Sequence, residues 1–392
     1  MSGERRSRIG LVLSGGGARG AYEAGVLQWV LQDWARSGVP PRVHAVCGTS
    51  VGAIHAAFLA SALHDPVGAS ERLGGVWSEL RVDQLLRIGA GQALGLWRLA
   101  LGGGSGASVF DARPLAAMVG RSVAWGHIRS NVAAGRLQAL TVTATHVPTG
   151  RPVVFVEARP GHPMPAGSGR RVVTRPATIG LPHVLASAAI PLVFPPVKID
   201  GDLYCDGGLR LNTPMGPAIR LGSDRLFVVA LNTTREAQGL AELGSGRYPG
   251  APFLIGKVLN AFLLDHVAQD LENLERVNRL LADAVAAGAS VDRLAAVATA
   301  EGRPVHQPIR ALAIHPSEDL GALAEQHVRK LSWVGRAPVV NTLLKLVDVG
   351  EGTGSDLASY LLFDRGYTQE LLALGRSDAE ARAEQIREFF AG

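Results

Sequence analysis

Short hydrophobic runs that end at glycine-rich turns characterise the first part of the chain. Residues 9–13 form an uncharged apolar run that stops at a serine and three glycines, and residues 43–47 form a second short run that stops at another glycine. Apolar residues at helical spacing follow each turn, over about 21–35 and 53–63. Runs of this length bounded by turns indicate buried strands, and the spacing after them indicates helices. The pattern therefore predicts two strand–turn–helix units.

The middle of the chain carries further strand signals. β-Branched residues dominate 139–145, a turn containing Gly150 and Pro152 follows, and 153–156 is apolar again, which together predict a hairpin. The pair Asp200-Gly201 is a second hairpin signal, placed between two short strands. A last core strand is predicted over 226–231.

The composition changes beyond a polar, glycine-containing linker at 236–250. Residues 251–392 are predicted to be mainly helical. The predicted elements there are helices within 253–286, 320–331, 337–349 and 355–363, a strand over 311–314, and a final helix opened by the capping box from Ser377 to Glu380. We expect this region to pack on the core of residues 9–235, while dimerisation and membrane docking are the alternatives.

One apolar stretch, from Arg81 to Ser108, has two interpretations. Its leucine, isoleucine and tryptophan residues are accompanied by isolated arginines, Arg87 and Arg98. An amphipathic lid would present the apolar face to lipid and the arginines to lipid headgroups. A helix packed on the core explains the same pattern, and it is the interpretation we favour.

The basic residues 1–8 precede the first apolar run, an order that resembles a signal peptide. That run spans about five residues, whereas the apolar part of a signal peptide needs roughly 7–15. No window of about 18 uncharged apolar residues occurs either, so we expect no membrane-spanning helix. The expected location is cytoplasmic, and peripheral attachment to a membrane stays open.

Composition and charge narrow the classes of function. With 47% hydrophobic and 19% charged residues, the chain can bury a large core and is not globally disordered. The net charge is +5, but the basic residues are spread along the chain and aromatics make up 5%, so nucleic-acid binding is not indicated. Weak attraction to anionic lipid surfaces is permitted. The two cysteines, Cys47 and Cys205, are expected to be reduced, buried thiols.

The first candidate for chemistry is Ser50, within Gly48-Thr49-Ser50-Val51-Gly52. In the G-x-S-x-G pattern a serine occupies a sharp turn between a buried strand and a helix, and small residues on either side let the two elements approach closely. The free N–H groups and the positive dipole end of the following helix would face the serine. The pattern alone is weak, because glycine makes up 48 of the 392 residues.

The glycine-rich loop after the first strand has two possible functions. Gly15, Gly17 and Gly20 satisfy G-x-G-x-x-G between a strand and a helix, which is the context of a dinucleotide-binding loop. That fold also needs an acidic residue at the end of the second strand, and none is present there. In the alternative, which we favour, the loop is an oxyanion hole whose backbone N–H groups face a carbonyl oxygen that becomes negative during acyl transfer.

The second candidate is Asp206, which precedes Gly207 and Gly208 at the end of a predicted strand. A carboxylate beside two residues without side chains can approach another element closely and accept a proton from an attacking serine hydroxyl. From spacing alone, an aspartate that caps a turn is the better explanation of the pattern.

These segments together resemble the patatin-like phospholipase family. The resemblance covers roughly residues 7–235 and rests on four motifs in order: Ser-Gly-Gly-Gly-Ala-Arg-Gly from Ser14, Gly-Thr-Ser-Val-Gly from Gly48, the block from Ala186 to Val197, and Asp206-Gly-Gly-Leu-Arg-Leu-Asn-Thr-Pro214. It implies an α/β fold with three α/β/α layers and a central, mostly parallel sheet. Residues 9–235 would then be the catalytic domain. The helical region after it resembles the C-terminal extensions of some bacterial relatives.

The resemblance also implies roles for individual residues. Ser50 would be the nucleophile, Asp206 the base, and the N–H groups of Gly15, Gly16, Gly17 and Arg19 the oxyanion donors. Ser14 departs from the pattern, because many relatives have an aspartate there, but this does not affect the catalytic residues. The implied activity is acyl hydrolysis of phospholipid or lysophospholipid without metal or organic cofactor. A catalytically idle lipid-binding module is the main alternative, and oligomeric state is left undetermined.

A Ser-Asp dyad raises a question of basicity. An aspartate with an ordinary pKa near 3.9 is a weak base for a hydroxyl, so its surroundings must raise that pKa, or the oxyanion hole must supply most of the stabilisation. The chain has eleven histidines. Those nearest to the motifs, His44, His55, His146 and His183, are expected to be packed or solvated residues rather than members of a triad.

Overall fold

The computed structural model describes residues 7–38, 43–80, 108, 110–162, 172–191, 193–233, 267–301, 305–332 and 355–391. The described residues include a nine-stranded sheet with helices on both faces. The predicted stretch from Arg81 to Ser108, the linker at 236–250 and the predicted helix over 337–349 lie outside the described residues, except for Ser108 itself.

The central sheet is mostly parallel. Its main path runs in the order β5-β4-β3-β2-β1-β8-β9, in which β3, β2, β1, β8 and β9 are parallel neighbours and β4 runs antiparallel to β3. The hairpin β6-β7 joins the sheet through antiparallel pairing of β7 with β3. The strands are β1 (Ile9–Leu13), β2 (Val43–Thr49), β3 (Leu137–His146), β4 (Arg151–Ala158), β5 (Val173–Pro176), β6 (Val197–Ile199), β7 (Asp202–Asp206), β8 (Arg225–Val229) and β9 (Arg310–Ile314).

Helices cover both faces of this sheet. The helices are α1 (Gly20–Ser37), α2 (Val51–Ala62), α3 (Pro66–Glu79), α4 (Arg113–Ser122), α5 (Trp125–Ala133), α6 (Leu181–Ser187), α7 (Met215–Arg220), α8 (Val267–Ala286), α9 (Val291–Ala300), α10 (Leu320–Ser332), α11 (Ser355–Leu361), α12 (Arg365–Ala381) and α13 (Ala383–Ala391). Short 3-10 helices at Gly17–Arg19 and Gly207–Leu209 follow β1 and β7.

The side chains of β1 point alternately to the two faces of the sheet, and each face packs against a layer of helices. Leu11 and Leu13 point into the larger hydrophobic cluster with α1 and α2, whereas Val12 points to the opposite face with Met215 and Ala218 of α7. Successive strand residues face opposite sides, so a strand buried on both faces is apolar throughout. The predicted three-layer α/β/α architecture is confirmed.

The C-terminal region contributes directly to the core. Strand β9 pairs in parallel with β8, from Arg225 opposite Arg310 to Val229 opposite Ile314. Helix α12 crosses α1 so closely that a Cβ atom on Gly25 would overlap the carbonyl oxygen of Leu372, and one on Gly375 would overlap that of Tyr22. Within the described part of this region, β9 and α12 pack on the core, as expected.

The capping-box prediction for the last helix was wrong. Residues 377–380 lie inside α12, which begins after Asp364, and the side chain of Asp364 accepts hydrogen bonds from the N–H groups of Gly366 and Tyr367. Asp378, within the predicted box, instead accepts hydrogen bonds from the Tyr22 hydroxyl and the Ser317 N–H. Packing against α1 therefore keeps residues 377–380 within α12, although their local sequence resembles the start of a helix.

Two other expectations can be compared with the described residues. Cys47 is buried, Cys205 is half-buried, and both thiols are free. Among the helices that the structure describes, none has the length and apolar character needed to cross a membrane.

Candidate active site

Ser50 occupies a strained turn between β2 and α2. Strand β2 ends at Thr49, helix α2 begins at Val51, and Ser50 has φ 54° and ψ −123°. A positive φ is unfavourable for a residue with a Cβ atom and is maintained only where the surrounding structure enforces it. The turn places the Ser50 hydroxyl at the carboxyl end of the strand, where α2 presents its N-terminus.

The flanking glycines make this turn possible. A Cβ atom on Gly48 would overlap the carbonyl oxygen of Gly52, and a Cβ atom on Gly52 would overlap that of Leu13 in β1. The backbone segments around Ser50 therefore pack too closely for any side chain at either position. This close packing explains why the G-x-S-x-G pattern has small residues on both sides of the serine.

Asp206 reaches Ser50 because of the way β7 joins the sheet. Asp206 is the last residue of β7 and lies opposite Ala144 of β3, and β3 is the neighbour of β2. The Ser50 Oγ donates a hydrogen bond of 2.7 Å to Asp206 Oδ2, across 156 positions of sequence. The structure thus brings together the two residues that sequence analysis singled out.

Both partners of this hydrogen bond are held by their neighbours. The other carboxylate oxygen of Asp206, Oδ1, accepts a 2.7 Å hydrogen bond from the Gly208 N–H. Its backbone carbonyl accepts one of 2.8 Å from Thr145 Oγ1. The Ser50 N–H donates to Ser187 Oγ at 2.8 Å, which ties the serine turn to α6.

Burial changes the basicity of Asp206. The residue is fully buried, and its pKa is raised to about 7, because burial penalises the charged carboxylate more than the hydrogen bonds from Ser50 and Gly208 favour it. The surroundings of Asp206 therefore raise its basicity, and the carboxyl group holds a proton near neutral pH far more tightly than an exposed aspartate does. Asp206 is therefore suited to accept a proton from a hydroxyl and to return it.

The glycine loop lies beside Ser50. Some of its predicted N–H donors already hydrogen-bond within the protein, whereas others have no acceptor among the described residues. The Gly15 N–H donates to the Asn212 carbonyl at 3.2 Å, and the Arg19 N–H donates to the Gly16 carbonyl at 3.1 Å. The N–H groups of Gly16 and Gly17 donate to no other described residue. At the start of α2, the Val51 N–H is likewise without an acceptor among the described residues.

The side chain of Arg19 contacts Asn232 and two residues of the C-terminal region, Ser359 and Tyr360. It is buried, and its Nε donates to Ser359 Oγ at 2.7 Å while its Nη1 donates to Asn232 Oδ1 at 2.9 Å. Its guanidinium carbon lies 4.5 Å from the centre of the Tyr360 ring. A Cβ atom on Gly17 would overlap the Tyr360 carbonyl oxygen, so α11 packs directly on the glycine loop.

Ser50 lines an apolar cavity with about 830 Å³ of empty space, part of it open to solvent. Among the described residues none that lines it is acidic, lysine or arginine, and its polar residues are Ser50, His55, Ser122 and the partly polar rings of Trp77 and Tyr360. The apolar walls are contributed by α2, α3, α4, α11 and the residues that follow α3, α6 and α11. The apolar lining residues are Val51, Ile54, Phe58, Leu73, Val76, Leu80, Leu115, Met118, Ala188, Ile190, Phe194, Leu361 and Phe363.

The predicted absence of a histidine partner can be examined in the described part of the chain, where no histidine nitrogen hydrogen-bonds to Ser50 or Asp206. His44 Nε2 contacts the Leu221 carbonyl at 2.8 Å, and His146 Nδ1 contacts Thr149 Oγ1 at 2.8 Å. The Gly180 N–H donates to His183 Nδ1 at 3.2 Å. His55 lines the cavity, but its ring nitrogens are bonded to Glu23 and Trp77.

Sequence analysis assigned no role to three residues that support the site. Ser187 and Asn212 stand inside the motifs quoted above, so their place in the sequence was noted but their contacts were not predictable. Glu23 is buried in the first turn of α1 and accepts a hydrogen bond from the Ser14 N–H at 3.0 Å. The only sequence signal for Glu23 was an acidic residue in the otherwise uncharged stretch from Gly20 to Gln32.

Two comparisons with known proteins bear on the family. The family model described as patatin-like phospholipase matches residues 11–219, more than half of the chain, and includes Ser50 and Asp206. No curated protein matches the chain.

Several solved structures resemble this one at low identity. VipD from Legionella pneumophila is 13% identical, with 94% of this chain and 67% of VipD covered and a TM-score of 0.34. Human GIVD cytosolic phospholipase A2, in complex with methyl gamma-linolenyl fluorophosphonate, is 14% identical, with 98% of this chain covered and a TM-score of 0.44. This chain spans 58% of that human protein. ExoU from Pseudomonas aeruginosa, in its complex with SpcU, is 17% identical, with 98% of this chain and 80% of ExoU covered and a TM-score of 0.28.

Proposed function

The chain belongs to the patatin-like phospholipase family, and we propose that it hydrolyses carboxylic esters of lipids with Ser50 as nucleophile and Asp206 as base. The observation that carries this proposal is the 2.7 Å hydrogen bond from Ser50 Oγ to Asp206 Oδ2, formed by a serine that lines an apolar cavity. Residues 9–235 supply both catalytic groups, and residues 251–392 supply α11, which completes the cavity wall.

The first half of the reaction transfers the acyl group to the enzyme. Asp206 Oδ2 accepts the Ser50 proton as Oγ attacks the carbonyl carbon of the ester, and the carbonyl oxygen becomes negative. The N–H groups of Gly16, Gly17 and Val51 are the proposed donors to this oxygen, since they have no other acceptor among the described residues. The tetrahedral intermediate then collapses, the bond to the alcohol breaks, and Asp206 returns its proton to the leaving oxygen.

The second half releases the fatty acid. A water molecule gives a proton to Asp206 and its oxygen attacks the acyl carbon, and the ester bond to Ser50 breaks as Oγ takes the proton back. The free fatty acid leaves and the carboxylate of Asp206 is regenerated. Each proton moves between Ser50, Asp206, the substrate and water, so the proposal includes no metal or organic cofactor.

The raised pKa of Asp206 explains how an aspartate serves without histidine. A base is most effective when its pKa lies near the working pH, because it is then largely deprotonated yet still binds a proton in the transition state. A pKa of about 7 meets this condition, whereas an exposed aspartate would be a far weaker base. The transition state then depends on the oxyanion donors for the remaining stabilisation.

The cavity indicates which part of a lipid is bound. Its described walls are apolar and lack acidic, lysine or arginine side chains, so they suit an acyl chain and not a charged headgroup. With the ester carbonyl at Ser50, the headgroup of a phospholipid or lysophospholipid would remain outside. We therefore propose phospholipids and lysophospholipids as substrates, met during peripheral contact with a membrane.

The proposal is tested by measuring fatty acid release by mass spectrometry. The purified protein is incubated with phosphatidylcholine–phosphatidylglycerol vesicles and, separately, with lysophosphatidylcholine micelles. We expect release that falls by about a thousandfold or more in Ser50→Ala. Ser61→Ala is the matched control, because Ser61 is a buried serine of α2, the helix that follows Ser50, and its Oγ donates to the Phe58 carbonyl at 2.7 Å.

The other outcomes separate the alternatives. Binding to vesicles without fatty acid release, and without reaction with a fluorophosphonate, would indicate an idle lipid-binding module. Thermal stabilisation by a nicotinamide dinucleotide in an inactive protein would indicate dinucleotide binding instead.

A further inference from the structure

A chain of hydrogen bonds runs from the glycine loop to the wall of the apolar cavity. The Ser14 N–H, immediately before Gly15, donates to Glu23 Oε2 at 3.0 Å. The other oxygen, Glu23 Oε1, lies 2.6 Å from His55 Nδ1. The Trp77 indole N–H donates to His55 Nε2 at 2.9 Å. Glu23 is 0% exposed, and His55 is 1% exposed.

The direction of every hydrogen bond in this chain follows from Trp77. An indole nitrogen can only donate, so His55 Nε2 must accept, and the neutral imidazole then carries its proton on Nδ1. His55 Nδ1–H therefore donates to Glu23 Oε1, and both oxygens of Glu23 face N–H donors. The pKa of Glu23 is raised, because burial outweighs the hydrogen bonds from His55 and Ser14, which lower it. Since neither oxygen faces an acceptor, the arrangement requires the ionised carboxylate.

A buried carboxylate is unfavourable for the stability of a core. Apolar residues of similar volume usually stabilise a fold as well as a buried ionic group or better. Glu23 lies in the first turn of α1, His55 in α2 five positions after Ser50, and Trp77 in α3, where it lines the cavity. These hydrogen bonds therefore connect α2 and α3, which both line the cavity, through α1 to Ser14 before the glycine loop.

We propose that Glu23 is a positioning residue for the oxyanion loop, and that His55 and Trp77 hold its carboxylate in the required orientation. By accepting the Ser14 N–H, Glu23 fixes the backbone from which the Gly16 and Gly17 N–H groups extend. This inference rests on the proposed function, because the loop matters only if it stabilises an oxyanion. Glu23 itself touches no reacting atom.

The order of donors and acceptors along these hydrogen bonds predicts a specific effect of Glu23→Gln. If the glutamine amide faces Ser14, two donors meet there. If the amide faces His55, the imidazole must move its proton to Nε2, and two donors then meet at Trp77. One repulsive contact remains in either orientation, so we expect kcat for a long-chain ester to fall by about tenfold to a hundredfold with KM changed less than about threefold.

Adding Trp77→Phe to Glu23→Gln removes the repulsion between the Trp77 N–H and a proton on His55 Nε2, because phenylalanine has no N–H. We expect the double variant Glu23→Gln/Trp77→Phe to recover kcat at least about fivefold over Glu23→Gln, although Trp77→Phe alone lowers activity. The control is Glu157→Gln, since Glu157 is also buried and accepts one backbone hydrogen bond, 2.7 Å from the Ile179 N–H, away from the site. We expect unchanged kcat in this control.

A spectroscopic readout does not depend on activity. Long-range ¹H–¹⁵N spectra of ¹⁵N-histidine-labelled protein report which ring nitrogen carries the proton, and His55→Gln assigns the resonance. We expect a neutral His55 with its proton on Nδ1. A proton on Nε2, a wild-type kcat in Glu23→Gln, or no recovery in the double variant would overturn the inference. An unaltered protein that releases no fatty acid would instead contradict the proposed function.

Discussion

Asn212 bonds to both the N–H and the carbonyl group of Gly15. The Gly15 N–H donates to the Asn212 backbone carbonyl at 3.2 Å, and Asn212 Nδ2 donates to the Gly15 carbonyl at 3.1 Å. Because the C=O and N–H of a planar trans peptide point in opposite directions, fixing the Gly15 carbonyl also fixes the direction of the Gly16 N–H. Asn212 thus orients a proposed oxyanion donor that it does not itself touch.

The first prediction concerns this orientation. Asn212→Ala removes the donor to the Gly15 carbonyl, and we expect kcat for ester hydrolysis to fall by about tenfold or more. Asn131→Ala is the matched control, since Asn131 is also buried and its Nδ2 donates to the Ala60 carbonyl at 2.8 Å. Both variants should lose about 1–3 kcal/mol of unfolding free energy, but only the first should lose turnover. Equal kcat in the two variants would refute the role of Asn212.

The second prediction follows from the raised pKa of Asp206. The base must be deprotonated to take the Ser50 proton, so activity should be lost as the pH falls through the pKa of about 7. We expect kcat/KM to rise about tenfold per pH unit below that value and to level off above it. A profile recorded between pH 5 and 9 in buffers of constant ionic strength measures this. A plateau that extends down to pH 5 would mean that Asp206 retains an ordinary pKa.

The third prediction concerns backbone strain at Ser50. Its φ of 54° favours glycine, so Ser50→Gly should be more stable than Ser50→Ala, although both lose the same hydroxyl. The expected difference is about 1 kcal/mol, since relief of strain exceeds the entropic cost of glycine. Urea unfolding curves of the two inactive variants provide the comparison. A more stable Ser50→Ala would show that the turn is not strained.

The fourth prediction concerns the C-terminal wall of the cavity. Leu361 of α11 lines the cavity that is proposed to hold the acyl chain. Leu361→Trp should shorten this cavity and lower kcat/KM for a 16-carbon ester by about tenfold more than for a 4-carbon ester, because only the long chain loses apolar contact. Leu280→Trp serves as control, since Leu280 is exposed on α8. An equal effect on both esters would place the acyl chain elsewhere.

How much could be predicted from the sequence is clearest at Ser50 and Asp206. Both stand in segments where glycines leave room for a close approach of backbones. Each motif is weak by itself, and the two residues were recognisable because four motifs occur in the order that resembles the family. Strands β1 and β2 were likewise recognisable, because a strand buried on both faces is apolar throughout.

Other features depend on contacts between distant segments. Nothing local to Glu23 indicates that it meets Ser14 and His55, because that meeting depends on how α1 packs against α2 and β1. Similarly, Ser377 to Glu380 have the composition of a helix start, yet packing of Gly375 against Tyr22 keeps them within α12. Pairing of β9 with β8 also spans about 80 residues and has no local signature.

The central claim is that Ser50 attacks while Asp206 accepts its proton. The most direct measurement is the rate at which a long-chain fluorophosphonate labels the protein, followed by intact mass and by peptide mapping. The account predicts one label per chain on Ser50, labelling slowed by about a thousandfold or more in Asp206→Asn, and a rate within about tenfold of wild type in His146→Gln. Labelling at another residue, or rapid labelling of Ser50 in Asp206→Asn, would contradict it.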